Sequence, residues 1–360
     1  MDIDRKQYDK AGESLYTYDH SSGLKAFVIP KKGYTKKYAA FAANYGSIDN
    51  EFIIPGEDEV TSVPDGIAHF LEHKLFEQKD ESVMEKYSRL GSSPNAYTSF
   101  NKTVYLFSCT DRFDESFSLL LDYVQNPYIT QESVENEKGI IGQEIMMYQD
   151  NPGWKVYFNL LRALYEKHPV RIDIAGTIDS ISRIDRDTLY KCYNTFYHPS
   201  NMIVVAVGDV EPESVFSKVE AAILHKEPRP PVNRIYPEET AAISSDYVEE
   251  HLAVSIPMFR LGFKGSCHGE TGIGLLMYET AVRLLLELLI GRSSELFEQL
   301  YKEGLLNSSF GIDVSFEKQY AFSVMGGESP DPMQVRERFC RTLEGARNHG
   351  LDKSACERLV

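Results

Sequence analysis

Apolar residues recur along the chain in two spacings, which predict a succession of strands and helices. In the first part, short apolar runs are typical of strands at 24–29, 38–45 and 202–207, and a hairpin is expected over 95–109. Helical spacing is found at 65–78, 113–125, 130–149, 154–166, 185–196 and 211–224. In the second part we expect a strand at 253–263, helix over 272–303, a hairpin at 310–325 and a helix at 333–347.

A proline-rich stretch separates these two parts. Residues 227–239 carry four prolines, a density that no helix or central strand tolerates. We interpret the stretch as an extended, semi-rigid linker. The sequence therefore predicts a first domain over 1–226, the linker over 227–239, and a second domain over 240–360.

The two predicted hairpins resemble each other, which indicates an internal duplication. The second copy is shorter after its hairpin, running only from 326 to 360 where the first runs from 110 to about 224. It is expected to be either a truncated product or a natural short form. The predicted fold class is α+β, with two duplicated domains of antiparallel sheet packed against helices. At an offset of 216 residues the identities are Ser92/Ser308, Ser93/Ser309, Ser99/Ser315, Phe100/Phe316 and Lys102/Lys318.

Composition narrows the classes of partner. A formal net charge of −16 disfavours binding to nucleic acid or to anionic lipid. No apolar run reaches 18 residues, since Glu287 interrupts the most apolar stretch, and this argues against a membrane span. The five cysteines include no close pair, and no secretory signal is visible, so a reducing cytoplasm is the expected location.

One segment carries candidate chemistry. In residues 64–77, PDGIAHFLEHKLFE, Asp65 is a candidate N-cap for a helix that places His69 and His73 one turn apart on one face. Two imidazoles at this spacing can bind one Zn²⁺, and Glu72 lies close enough to reach a water on the metal without binding it. A helix turn that merely carries surface histidines is the alternative.

Two histidines need a third ligand, and a second predicted helix offers one. Glu137 and Glu144 are seven residues apart, so they share one face of the helix over 132–148. We assign Glu144 as the third ligand and Glu137 as the carboxylate that orients a ligand histidine. At this point a solvated helix face remains open as the alternative for the glutamate pair.

These motifs together resemble the pitrilysin/insulinase family of zinc metallopeptidases, in particular its processing-peptidase branch with bacterial cytosolic members. The resemblance covers essentially the whole chain, and it favours the ligand assignment of the glutamates. The matching segments are His69-Phe-Leu-Glu72-His73 with Lys74-Leu-Phe-Glu, Asn95-Ala-Tyr-Thr98, Glu137-x-x-Ile-Ile-x-x-Glu144-Ile, His168-Pro with Ala175-Gly-Thr, 202–208, and Gly291-x-Ser-Ser-x-Leu-Phe.

The resemblance implies a clamshell of two similar α+β domains. It implies one Zn²⁺ per chain, held by His69, His73 and Glu144, with Glu72 as general base. It also implies that Asn95, Ala96 and Tyr97 form an edge strand that binds an extended peptide. Family members further supply an arginine and a tyrosine late in the second domain, and we assign those roles to no residue of this chain.

The leading functional hypothesis is therefore a zinc endopeptidase that cleaves peptides or small unfolded proteins. A non-catalytic structural or assembly subunit is the alternative from another class, and a metal hydrolase with a non-peptide substrate is a third. A homodimer, or a heterodimer with a homologous chain, is the expected assembly.

Overall fold

A computed structural model describes residues 2–266 and 269–359 of the chain. The elements are of mixed α+β type, as predicted. Two short 3₁₀ helices lie at Pro169–Arg171 and Pro199–Asn201. The strands are β1 (Ile3–Tyr8), β2 (Glu13–Asp19), β3 (Lys25–Pro30), β4 (Lys37–Ala43), β5 (Glu51–Ile53), β6 (Val60–Ser62), β7 (Ser93–Thr98), β8 (Thr103–Cys109), β9 (Met202–Gly208), β10 (Asn233–Arg234), β11 (Met258–Lys264), β12 (Gly311–Phe316) and β13 (Ala321–Glu328). The helices are α1 (Ile67–Leu75), α2 (Val83–Leu90), α3 (Phe113–Gln125), α4 (Gln131–Gln149), α5 (Pro152–Leu164), α6 (Ile178–Ser182), α7 (Arg186–Phe196), α8 (Pro212–Ala222), α9 (Ile273–Ile290), α10 (Glu295–Lys302), α11 (Pro332–His349) and α12 (Lys353–Leu359).

The chain divides into two compact units that interleave in sequence. The first unit consists of Met1–Ile145 and Asp173–Ile235, and the second of Met146–Ile172 and Tyr236–Val360. Helix α5 therefore belongs to the second unit although it precedes α6, α7 and α8 of the first in the chain. The predicted domain boundaries at residues 226 and 240 stay a prediction, because the two units are defined by their internal contacts and each combines two separate segments of the chain.

The first unit is built on a sheet of the order β1-β2-β3-β9-β4-β8-β7. Its pairs are antiparallel apart from β3 with β9, which run parallel. This exception to the predicted antiparallel sheet arises because β9 returns after a long helical crossover, the connection that parallel strands require. A small sheet of the order β10-β5-β6 lies beside it.

The second unit repeats part of this arrangement. Strands β11, β13 and β12 pair antiparallel in that spatial order, so the predicted second hairpin is confirmed. Buried side chains of α9, α10 and α11 pack on it in one core that includes Leu289, Phe297 and Phe339. Helix α5 packs against β11, where Gly262 leaves room for Leu160: a Cβ there would lie 2.8 Å from that side chain.

Several elements differ from the predicted ones. The predicted helix over 272–303 is two helices, because α9 ends at Ile290 and Gly291 leaves the helical conformation before Ser294 caps α10. Residues 253–257 are not a strand, and β11 begins only at Met258. Strands β1 and β2 were not predicted, since β1 has mostly exposed, polar side chains and therefore lacks apolar alternation.

Two further observations concern the described residues alone. None of their helices is long and apolar enough to cross a membrane. Cys109, Cys192, Cys340 and Cys356 are free thiols, and the first two are buried, while Cys267 lies outside the described residues.

Candidate metal centre

Helix α1 is held in place by its backbone at the start and by its apolar face. It begins at Ile67 after Gly66, whose φ of 87° is accessible mainly to glycine; a Cβ there would lie 2.4 Å from the carbonyl oxygen of Ala175. The predicted N-cap, Asp65, is therefore wrong: its carboxylate instead accepts a hydrogen bond from Asn50 at 2.6 Å. Ile67, Phe70, Leu71 and Leu75 are fully buried or nearly so, which fixes the rotation of the helix about its axis.

His69, His73 and Glu144 present their donor atoms to one point. Glu144 Oε1 lies 3.7 Å from His69 Nε2, and Glu144 Oε2 lies 3.5 Å from His73 Nε2. Both distances are too long for good hydrogen bonds. Two ligands about 2.1 Å from a tetrahedral zinc are separated by about 3.4 Å, so these spacings fit donors that share a metal ion. Among the described residues this trio is the one group of three such side chains within metal-binding reach.

The protonation of the histidines also suits a metal. His69 is buried, with 8% of its surface exposed, and burial lowers its pKa to about 4. The imidazole is therefore neutral near pH 7, the form that binds Zn²⁺. Two imidazoles and one carboxylate are a donor set typical of a catalytic zinc site, in which the fourth coordination position stays open for water or substrate. The residues present fit zinc.

Glu137 lies behind His73 rather than at the convergence point. Its Oε1 is 3.0 Å from His73 Nδ1, so it fixes the ring orientation that leaves Nε2 pointing towards Glu144. Burial by itself would lower the pKa of His73, but the hydrogen bond and charge of Glu137 outweigh it and raise that pKa. Glu137 and Glu144, which were predicted to share one face of α4, thus lie on the two sides of the His73 imidazole.

Glu72 is buried beside the trio and is not part of it. Burial raises the pKa of its carboxyl, which lies close to the buried phenols of Tyr105 and Tyr197. The Thr98 hydroxyl donates a hydrogen bond of 2.6 Å to Glu72 Oε2. Thr98 closes the motif that begins at Asn95, but sequence reasoning gave it no role, because its contact with α1 depends on the packing of β7 against that helix.

Strand β7 carries the remaining predicted residues. It is the terminal strand of its sheet and pairs with β8 alone among the described strands. Asn95 and Tyr97 are exposed on one face, whereas Ala96 and Thr98 are half-buried on the other. The prediction that this segment is an edge strand is confirmed, and its binding of peptide stays a prediction.

Comparison with known proteins places these features in a family. Residues 60–178 match the family model described as Insulinase (Peptidase family M16), and residues 183–360 match the model described as Peptidase M16 inactive domain. The chain is 46% identical to the uncharacterized zinc protease YmfH of Bacillus subtilis, over 94% of this chain and 79% of that protein.

Solved structures agree with this assignment. An M16-like peptidase from Alicyclobacillus acidocaldarius has a TM-score of 0.92 and 38% identity, over 96% of this chain and 82% of that one. Pitrilysin has a TM-score of 0.73 at 18% identity, a likeness in fold, over 98% of this chain and 39% of its own. The predicted resemblance is confirmed, and the chain belongs to peptidase family M16.

Proposed function

We propose that this chain is a zinc-dependent endopeptidase that hydrolyses peptides or small unfolded proteins. The observation that carries the proposal is the position of Glu72. It is a buried carboxylate next to the three converging donors of His69, His73 and Glu144, yet it is not one of them. Hydrolysis by a metal-activated water requires metal ligands and, beside them, a separate group that acts as acid or base.

The chemistry divides between the metal and the protein. Bound Zn²⁺ supplies Lewis-acid polarisation of a carbonyl and lowers the pKa of a water molecule to about 7. Glu72 accepts a proton from the attacking water and delivers it to the departing amine. Burial raises the pKa of the Glu72 carboxyl, which helps it to take up a proton, and the Thr98 hydroxyl donates a hydrogen bond to one of its two oxygens.

Strand β7 offers a way to hold a substrate. Its outer edge presents backbone N–H and C=O groups that no described strand occupies. An extended peptide can add to such an edge through main-chain hydrogen bonds, which tolerate many sequences. We infer that Asn95, Ala96 and Tyr97 bind substrate in this way, close to Glu72 because Thr98 lies on the same strand.

The comparison with pitrilysin supports pairing with a second chain. The described residues have the fold of about 39% of the pitrilysin chain, which leaves room for a second, similar chain beside this one. We infer that it works as a homodimer or with a homologous chain. The free cysteines among the described residues support a cytoplasmic location.

One observation favours a second candidate, a non-catalytic partner subunit. The family model that matches residues 183–360 is described as an inactive domain. Such a subunit would bind a homologous chain but would not cleave peptides itself.

The two candidates are separated by a cleavage assay. Zinc-loaded protein is incubated with a mixed library of quenched fluorescent peptides, beside Glu72→Gln and, as a matched control, Glu132→Gln on the exposed face of α4. We expect cleavage by the wild type and by the control, and a loss of about 10²–10⁴-fold in Glu72→Gln with zinc still bound. Equal cleavage by Glu72→Gln would refute the assigned base, and zinc binding without any cleavage would favour the partner subunit.

A further inference from the structure

A buried lysine stands directly beside the candidate metal centre. Lys74 follows His73 on α1, and its side chain has no exposed surface. Its Nζ donates to the carbonyl oxygen of Ser133 at 3.3 Å and forms an ion pair with Glu77, one turn further along. A buried ammonium is strongly unfavourable unless carboxylates or other acceptors surround it, so this position is not explained by packing alone.

The second carboxylate near Lys74 is Glu137. Glu137 Oε2 lies 3.8 Å from Lys74 Nζ, while Glu137 Oε1 lies 3.0 Å from His73 Nδ1. The two oxygens of one carboxylate thus face two different groups, an imidazole and an ammonium. The imidazole is hydrogen-bonded to one oxygen, whereas the ammonium attracts the other by charge at a distance too long for a hydrogen bond. Both interactions favour one orientation of the carboxylate, and that orientation sets the orientation of the imidazole.

We propose that Lys74 is a positioning residue of the metal centre, acting through Glu137 on His73. The charge of the ammonium attracts Oε2 of Glu137, Oε1 is hydrogen-bonded to His73, and Glu77 balances the remaining charge. This inference rests on the proposed zinc site, because positioning matters only if His73 binds the metal.

The second unit provides a matched control. Lys264 is also a buried lysine, with 6% of its side chain exposed, and it pairs with Glu239 at 2.8 Å. Its other neighbours are the carbonyl oxygen of Ala242 and the ring of Tyr165, and it is not among the groups around His73. Replacing Lys264 therefore removes a buried lysine and breaks a buried ion pair without touching Glu137.

The test is a double-mutant cycle on zinc affinity. The dissociation constant for Zn²⁺ is measured by competition with a chromophoric chelator for wild type, Lys74→Met, Glu137→Gln, the double variant and Lys264→Met. We expect Lys74→Met to weaken binding about tenfold in the wild-type background. In the Glu137→Gln background the same change is expected to have less than a twofold effect, because the group through which Lys74 acts has lost its charge. Lys264→Met is expected to bind zinc as the wild type does.

Other results would overturn the inference. Equal weakening by Lys74→Met in both backgrounds would mean that it acts on the fold and not through Glu137. Unchanged or tighter binding would mean that the ammonium contributes nothing or only repels the metal. If circular dichroism shows that Lys74→Met does not fold, Glu77→Gln takes its place, because the Glu77 side chain is partly exposed. We expect Glu77→Gln to weaken zinc binding by a few-fold. An unchanged zinc affinity would overturn the proposal.

Failure of the proposed site itself has a different signature. If His69→Ala and Glu144→Ala bind zinc as tightly as wild type does, then the metal lies elsewhere and the proposed function loses its basis. If those variants lose zinc while Lys74→Met retains wild-type affinity, only the positioning role is wrong. The absorption spectrum of the Co²⁺-substituted protein gives a second readout, because a displaced imidazole changes the d–d bands whether or not peptides are cleaved.

Discussion

The two copies of the duplicated unit share a framework but differ in the chemistry of the helix before the hairpin. In the first unit α1 and α2 precede β7 and β8, and in the second α9 and α10 precede β12 and β13. Where the first helix carries the proposed metal ligands, the second carries leucines that join or adjoin its apolar core. The two units thus share the position of the helix before the hairpin, and they differ in the side chains that could bind a metal. At the offset of 216 residues, His69, Glu72, His73 and Thr98 correspond to Leu285, Leu288, Leu289 and Val314.

A second contrast lies in how each unit uses a partly buried glutamate. In the first, Glu137 meets the ring of His73 and the ammonium of Lys74. In the second, Glu239 accepts hydrogen bonds from the backbone N–H groups of 166–168 and pairs with Lys264. The Glu137 carboxylate orients a side chain that could bind a metal, whereas the Glu239 carboxylate stabilises the backbone of 166–168. The two units can therefore be tested by different readouts, metal binding for the first and stability for the second.

The largest effect is expected when the first helix is made like the second. His69→Leu removes one of three converging donors, and we expect bound zinc to fall from one per chain to none after dialysis. The metal-free protein should be no less stable than the wild type, because His69 Nδ1 is a buried atom with no hydrogen-bond partner among the described residues. The zinc content is measured by plasma mass spectrometry and stability by urea unfolding. Retention of stoichiometric zinc would contradict the ligand role.

A smaller effect is expected on the hairpin. Thr98→Val copies Val314 of the second unit and removes the hydrogen bond to Glu72. A hydrogen bond to a charged group contributes about 1.5–3 kcal/mol, so we expect peptide cleavage to fall about 10–100-fold with zinc unchanged. Thr98→Ser keeps the hydroxyl and serves as the control that should retain most of the activity. If Thr98→Val cleaves as the wild type does, the hydroxyl does not position the base.

The last effect concerns the stability of the second unit and leaves metal binding and cleavage unchanged. Burial alone would raise the pKa of Glu239, but Lys264 and the three backbone donors lower it from 4.5 to about 2. A lowered carboxyl pKa stabilises the fold above about pH 4.5, and this stabilisation is lost as the pH falls towards 2. Glu239→Gln should therefore reduce the free energy of unfolding by roughly 2–3 kcal/mol at pH 7.

Acid unfolding checks this contribution of Glu239. The difference in unfolding free energy between Glu239→Gln and the wild type should shrink between pH 4.5 and 2, where the wild-type carboxyl takes up its proton. Zinc binding should be the same in both proteins. A difference that does not depend on pH over this range would show that the glutamine disturbs packing rather than charge.

Local spacing explains why much of the site could be predicted from the sequence. His69 and His73 are one turn apart on one helix, and Glu137 and Glu144 are two turns apart on another, so each pair needs only the period of the helix. The contacts that were not predicted join separate elements. Thr98 with Glu72, Lys74 with Glu137, and the packing of residues 146–172 with the second unit all depend on tertiary structure, of which one sequence carries no direct signal.

The most direct test of the metal centre is anomalous diffraction at the zinc absorption edge from crystals grown with Zn²⁺. We expect one peak in each chain, about 2.0–2.2 Å from His69 Nε2, His73 Nε2 and a carboxylate oxygen of Glu144. No corresponding peak should occur near Leu285 and Leu289 of the second unit. A peak away from these three residues, or none at zinc concentrations that saturate binding in solution, would contradict the assignment of the metal site to the first unit.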